Sequence, residues 1–166
     1  MATRANLKPN KSFRDNARIL VPFLFEEFLS HRNRVVAHPK LKNDFHKMRI
    51  AGKTLRYAME VFDAAFDEEF DGCLGEVKRL LDVMGQVHDC DVCVPTLQNH
   101  LREIRSYNRV TANPGDKIRT KAVTEIIKAQ HSRRLTLYSE SCAIIDGWVV
   151  GNFGQKILQS MNKVRQ

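Results

Sequence analysis

Four basic side chains in the first half of the chain follow one another at helical spacing. Their positions differ by three, four and three residues, in the order His46, Arg49, Lys53 and Arg56. On an α-helix, residues three and four apart lie on one face. These side chains would therefore form a row roughly 15 Å long at the α-helical rise per residue, which we call the basic stripe. A row of fixed positive charge is suited to binding an extended anion.

The same segment also has an apolar face. Its apolar residues fall on the side opposite to the basic stripe, at Met48, Ala51, Leu55, Ala58, Met59 and Phe62. A helix of this kind packs its apolar side into a core and leaves the other side in solvent. There the guanidinium groups of Arg49 and Arg56 can each bind two oxygens at once, and Lys53 adds a mobile point charge.

A second group of polar residues follows later in the chain, at His88, Asp89 and Asp91. An imidazole and two carboxylates this close together could bind a divalent metal. They could equally form a structural latch, in which Asp89 or Asp91 caps a helix that begins near Pro95 and pairs with a basic residue. We interpret the group as a latch, and we expect no metal and no cofactor.

Charge is distributed unevenly along the 166 residues, whose formal net charge is +8. Residues 1–56 have a net charge of +9, residues 57–76 of −7 and residues 77–166 of +6. Such segregation creates basic surfaces that attract polyanions. Eight further basic residues could extend the surface of the stripe. They are Arg32, Arg34, Lys78, Arg102, Arg105, Arg109, Arg133 and Arg134.

Composition and length predict a single domain over residues 1–166, since 43% of the residues are hydrophobic and 28% are charged. No apolar run reaches the length of a membrane span, and the first residues lack the apolar core of a secretion signal. We therefore expect a cytoplasmic protein that does not enter the membrane. The four cysteines should then be reduced thiols without a redox or zinc site.

Every long segment has helical periodicity, and none alternates as a strand does. The sequence therefore predicts an all-α bundle of five or six helices, arranged as antiparallel hairpins with short loops. The first helix should begin at a capping box formed by Ser12 and Asp15. We expect Pro22 to kink or divide this helix.

The later helices are delimited by turn and capping signals. Residues 31–42 should form a basic loop, and Asp71 with Gly72 should form a turn before the third helix. Pro95 is typical of the first turn of a fourth helix. Asp116 should cap a long fifth helix, and a glycine-rich stretch from Gly147 should precede a short last one.

Two segments resemble the CHAD domain, the conserved-histidine α-helical domain. Residues 46–57 are similar to its signature, since His46, Arg49, Leu55 and Arg56 stand at the expected spacing, whereas Lys53 and Thr54 occupy the place of the usual basic pair. Residues 84–92 resemble its second element, an apolar residue and Gly followed by Arg or His, Asp, any residue, Asp and Val. The chain is shorter than most members, so it resembles a short, stand-alone form.

The resemblance implies that the protein binds inorganic polyphosphate through basic helix surfaces without catalysing a reaction. It also implies association with polyphosphate granules. The residues that would bind are the basic stripe and the eight further basic residues named above. Other polyanions remain candidate partners on the same charges.

Two alternative functions stay open. The same charges would suit a nucleic-acid-binding helical protein, although no nucleic-acid-binding motif is evident and aromatic residues near the basic rows are few. A metal-dependent phosphohydrolase using the histidines and aspartates is the other alternative. Such enzymes gather several acids around the metals, and only Asp89 and Asp91 are near a histidine here.

Overall fold

A computed structural model describes residues 7–38 and 42–163 of the chain. Within these ranges the fold is an all-α bundle without strands, as the periodicity predicts. Two short 3₁₀ turns, at Asp63–Ala65 and Pro114–Asp116, lie between the α-helices. The α-helices are α1 (Phe13–Ser30), α2 (Arg32–Ala37), α3 (Lys42–Phe62), α4 (Glu68–Val110), α5 (Lys121–Val150) and α6 (Phe153–Ser160).

The capping box predicted for α1 is confirmed. Oγ of Ser12 accepts a hydrogen bond from the backbone N–H of Asp15 at 3.1 Å and donates to its carboxylate at 2.7 Å. Pro22 lies inside α1 and does not divide it. One missing N–H is tolerated because the neighbouring turns bury their apolar side, as at Val21 and Phe25.

The prediction of a basic loop over residues 31–42 is wrong for Arg32–Ala37, which forms the short helix α2, while residues 39–41 lie outside the described ranges. Tertiary contacts explain the difference, because so short a helix is marginal in isolation. Val35 is only 1% exposed. Arg32 donates two hydrogen bonds to Asp146 of α5, at 2.9 and 2.7 Å. Packing at both residues therefore orders a segment whose sequence resembles a loop.

The predicted boundaries around α4 are also wrong. The predicted turn at Asp71 and Gly72 lies inside α4, which Asp67 caps by accepting a hydrogen bond from the N–H of Glu69 at 3.1 Å. The helix then continues for 43 residues through Pro95, a length of about 65 Å. Consequently neither Asp89 nor Asp91 caps a helix.

The main core contains side chains from all six helices. At its centre, α1, α3 and α4 approach closely at Gly52. A Cβ atom added there would lie 2.8 Å from Cδ2 of Leu81 and 3.2 Å from the ring of Phe28. Only glycine fits this contact, which fixes the position of α3 against α4 between Arg49 and Lys53.

Beyond the main core, α4 and α5 continue as an antiparallel pair that we call the distal hairpin, residues 95–133. Lys42, near the start of α3, binds Asp91 of α4 at 2.9 Å, so residues 95–110 extend past α3. A separate small core at Val94, Leu101 and Ile127 joins the two helices of the hairpin. Helix α5 begins at Lys121 rather than at Asp116, because residues 114–116 form the 3₁₀ turn.

The link between α5 and α6 is shorter than the glycine-rich stretch predicted from Gly147, since Gly147 lies inside α5 and only Gly151 and Asn152 separate the two helices. Asn152 adopts a left-handed conformation, with φ of 53°, between α5 and α6. All four cysteines are free thiols. None of the helices in the described ranges has both the length and the apolar character needed to cross a membrane.

Candidate functional site

A groove of about 460 Å³ lies between α3 and α4. Three residues of the basic stripe line one side of it, and one face of α4 forms its floor. We call it the α3–α4 groove. Its lining residues are Arg49, Lys53, Arg56 and Tyr57 from α3 and Leu81, Asp82, Gly85, Gln86 and Asp89 from α4.

The amphipathic pattern of α3 explains why these cations lie in the groove. Met48, Leu55 and Met59 of its apolar face are fully buried, and Phe62 is 7% exposed. Burying that face turns the basic stripe toward α4 and solvent, where Arg49, Lys53 and Arg56 are half-buried and His46 is exposed. The predicted apolar face is thus the core face of α3.

Both arginines of the stripe have an unmet hydrogen-bond donor. The Nε atoms of Arg49 and Arg56 are buried and have no hydrogen-bond partner among the described residues. Nε of Arg56 lies 3.7 Å from the carboxylate of Glu60, which is beyond hydrogen-bond distance. A buried polar group without a partner is rare and costs free energy. The Nε atoms are thus enclosed by protein, whereas the two side chains as a whole line the groove and are half-buried.

Beneath Arg49 the floor of the groove is α4 backbone without a side chain, because residue 85 is glycine. A Cβ atom at Gly85 would lie 3.8 Å from Nη2 of Arg49, which places the guanidinium directly over bare α4 backbone. Two carboxylates, of Asp82 and Asp89, line the same groove and are exposed. The groove therefore has a cationic wall and two acidic residues along its floor.

Helix α5 contributes a further cation at the opposite side. Nη2 of Arg133 donates a hydrogen bond to Oε1 of Gln86 at 2.9 Å, and Gln86 lines the groove. This bond holds Arg133 at the edge of the groove, across α4 from the basic stripe. Arg133 and Arg134 are the two further basic residues on α5, and Arg133 is the one that reaches the edge of the groove.

A second depression of about 270 Å³ continues the groove at its His46 end. The rings of His46 and His88 stack there, with centroids 5.3 Å apart and an interplanar angle of 29°. Arg49 lines both depressions. The two depressions therefore adjoin at Arg49.

Asp91 borders the second depression and joins three helices. Its carboxylate accepts hydrogen bonds from Nε of Arg134 on α5 at 2.7 Å and from Nζ of Lys42 on α3 at 2.9 Å. Burial would raise the pKa of Asp91, but the hydrogen bonds from Arg134 and Lys42 outweigh it and hold that pKa below its ordinary value. Asp91 pairs with basic residues, as a latch should, although it caps no helix.

The other two members of the predicted latch lie elsewhere. His88 stacks on His46, and Asp89 is exposed in the groove and makes no ion pair with a described residue. The interpretation of Arg134 as a ligand-binding residue is corrected, because Arg134 is 8% exposed and its guanidinium binds Asp91. Its charge stabilises the junction of α4 and α5.

The remaining candidates lie outside both depressions. Arg32 is bound to Asp146, and Arg34 is exposed on α2. Lys78 binds Glu60 at 3.3 Å and so lies near the Arg56 end of the groove. The three distal arginines, Arg102, Arg105 and Arg109, are exposed on the distal hairpin.

Several residues of the site were not identified from the sequence. Lys42, Asp82 and Gln86 line the depressions but formed no part of the predicted site. A signal for the floor was present, because Asp82, Gln86 and Asp89 are spaced four and three residues apart on one face of α4. No three His, Cys, Asp or Glu side chains within residues 7–38 and 42–163 are grouped to hold a metal ion.

The family model of the CHAD domain matches residues 2–98, which is more than half of the chain. No curated protein and no solved structure matches the chain. The matched region includes the basic stripe, the stacked histidines and the whole floor of the groove, whereas Arg133 and most of the distal hairpin lie outside it. The single-domain prediction for residues 1–166 stays a prediction. With its two ordered motifs on the facing sides of one groove, the chain belongs to the CHAD domain family.

Proposed function

We propose that the α3–α4 groove binds inorganic polyphosphate and catalyses no reaction. The observation that carries the proposal is the row of Arg49, Lys53 and Arg56 along one side of the groove. The guanidinium groups of the two arginines can form charge-assisted hydrogen bonds to phosphate oxygens, and such bonds are the strong ones. These cations could bind a phosphate polymer without the help of a metal ion.

The shape of the site supports an extended ligand. Arg56 is seven positions after Arg49, which corresponds to about 10 Å along α3, and Lys53 lies between them. The second depression adds His46, His88 and Lys42 at one end. A phosphate chain carries oxyanions at regular intervals and has no apolar part, so a line of cations along a shallow groove complements it.

Nucleic acid is the alternative ligand that one observation favours. Tyr57 lines the groove, is 47% exposed and lies against Arg56, whose Cζ is 4.7 Å from the ring centroid. An exposed ring beside a cation could stack on a base. Tyr57 is the only aromatic residue among those that line the groove, so we favour a ligand without bases.

The first test is the affinity of the purified protein for long-chain polyphosphate, measured by isothermal titration calorimetry. R49A/R56A should weaken binding by about tenfold or more, since each hydrogen bond to a charged group contributes about 1.5–3 kcal/mol. K8A/K11A is the matched control, because it removes the same charge from exposed residues outside the groove. Equal affinities of R49A/R56A and the control would contradict the proposal.

Two further measurements separate the alternatives. Competition between polyphosphate and duplex DNA at physiological salt should favour polyphosphate, and a preference for DNA would replace it as the ligand. Phosphate release from polyphosphate with added magnesium or manganese should be absent, and release that depends on His88 and Asp89 would identify a phosphohydrolase. The cytoplasmic location and the association with granules stay predictions, which fluorescence microscopy of the tagged protein would test.

A further inference from the structure

The distal hairpin presents a second basic surface that is separate from the groove. Without Arg133, which lies at the edge of the groove, residues 95–132 contain seven Lys and Arg against three Asp and Glu. Arg105 and Arg109 are exposed and make no ion pair with a described residue. Glu103, the acid between Arg102 and Arg105, lies 3.3 Å from Nδ1 of His100. Positive charge therefore dominates this surface.

Asn108 fixes the loop that adds further charge to the surface. Its Nδ2 donates a hydrogen bond to the carbonyl oxygen of Ile118 at 2.8 Å, and the N–H of Ile118 donates to its Oδ1 at 2.9 Å. Ile118 is flanked by Lys117 and Arg119, both exposed. The two bonds hold these cations beside the last turns of α4. We call Arg105, Arg109, Lys117 and Arg119 the hairpin cluster.

The hairpin cluster and the groove face different directions. Sixteen residues separate Asp89, on the floor of the groove, from Arg105, which corresponds to about 24 Å along α4. At 3.6 residues per turn, Arg105 lies roughly 160° around the helix from Asp89. Arg109 lies on the same side as Arg105. A straight stretch of polymer bound in the groove therefore cannot contact the hairpin cluster.

We propose that the hairpin cluster is a second binding site for inorganic polyphosphate, so that one protein molecule links two polyphosphate chains. The inference rests on the proposed function of the groove, since it assigns the same ligand to both sites. One exposed ring, Tyr107 at 48% exposure, accompanies the cluster, so the cluster suits a polymer with charge and no bases better than a nucleic acid. Two sites at different places along α4 would create bivalent attachment to a long polymer.

Calorimetry with tripolyphosphate, a ligand too short to reach both sites, tests this inference. The wild type should bind two ligands per molecule. R105A/R109A should bind one tripolyphosphate in the groove, with an affinity within about twofold of the wild type. Its affinity for tripolyphosphate at the hairpin cluster should fall about tenfold or more. R49A/R56A should instead retain the binding of one tripolyphosphate at the hairpin cluster. K8A/K11A, with the same loss of charge, should retain both events.

Light scattering with long-chain polyphosphate tests the linking itself. Wild type and K8A/K11A should form large complexes, and R105A/R109A should lose them while still binding the polymer. N108A should reduce linking without removing a charge, because Lys117 and Arg119 lose their fixed position. Circular dichroism confirms that each variant is folded.

Three results would overturn the proposal: one tripolyphosphate per wild-type molecule, equal linking by R105A/R109A and wild type, or preference of the hairpin cluster for duplex DNA. The failure of the groove proposal is distinguishable, since R49A/R56A would then bind as the wild type does.

Discussion

Nε of Arg134 lies 2.7 Å from the carboxylate of Asp91, and the two residues are 43 positions apart in the chain. Arg134 is 8% exposed, so the two residues form an ion pair that is largely shielded from solvent. Lys42 binds the same carboxylate from α3 at 2.9 Å. Asp91 therefore joins α3, α4 and α5 at the end of the second depression, and it positions the helix whose Arg133 reaches the groove.

Substituting Asp91→Asn should destabilise the fold strongly. The change removes the negative charge that the buried Arg134 and Lys42 both bind, and breaking a buried ion pair costs about 3 kcal/mol. Asp89→Asn is the matched control, since Asp89 is exposed two residues earlier and should change the free energy of unfolding by less than about 0.5 kcal/mol. Urea denaturation measures both. Similar losses in the two variants would show that the pair contributes little.

Asp91 should also contribute to acid unfolding. Its pKa is lower in the folded protein than the ordinary value of about 3.9. The stabilisation is therefore present above that ordinary value and is lost as the pH falls toward the folded-state pKa. In urea titrations between pH 6 and pH 2.5, the difference between wild type and D91N should narrow below about pH 4. A difference that stays constant over this range would mean that the carboxylate is not the source of the stability.

The sequence predicted the site best where one helix contains the whole pattern. The buried and exposed faces of α3 follow directly from its apolar periodicity, so the orientation of the basic stripe could be inferred. The boundaries of α4 could not, because Pro95 and the aspartates before it resemble a helix start. Packing of Val94 and Leu101 against Ile127 of α5 overrides that signal.

Which residues of α5 reach the groove depends on how α5 is aligned along α4. Local sequence patterns do not encode that alignment. Arg133 and Arg134 are adjacent in sequence and equal in chemistry. Arg133 binds Gln86 at the edge of the groove, whereas Arg134 is buried against Asp91. Their opposite positions follow from how α5 lies along α4, which is a tertiary contact over more than 40 residues. Helical periodicity places both on α5 but does not reveal which faces the ligand.

The acidic floor of the groove should weaken the binding of polyphosphate. Asp82 and Asp89 line the groove and repel an anion there. A unit charge about 7 Å from the ligand in water contributes about 0.6 kcal/mol, which corresponds to about threefold in affinity. D82N and D89N should therefore each tighten binding by about threefold, as measured by calorimetry at constant salt. E140Q is the control, because Glu140 is an exposed acid of α5 that lies outside the groove and outside the distal hairpin. Weaker binding by D82N or D89N would show that these carboxylates assist the ligand.

Two glycines near Arg49 should differ in their tolerance of alanine. At Gly52 a Cβ atom would lie 2.8 Å from Cδ2 of Leu81 and 3.2 Å from the ring of Phe28, so these buried side chains or α3 itself must shift. Overpacking of this kind costs about 1–3 kcal/mol. At Gly85 the nearest atom to a Cβ would be Nη2 of Arg49 at 3.8 Å, an ordinary contact. G52A should therefore lower the free energy of unfolding in urea, whereas G85A should preserve or raise it, since alanine favours a helix over glycine by about 1 kcal/mol.

The same pair separates the position of α3 from the chemistry of the groove. In G52A the basic stripe moves relative to its floor, so the affinity for polyphosphate should fall together with the stability. G85A keeps the helices in place and should retain the affinity within about twofold, because its methyl group only touches the guanidinium of Arg49. If G52A bound polyphosphate as the wild type does, the basic stripe would bind the polymer independently of α4. The spacing of α3 and α4 would then not define the site.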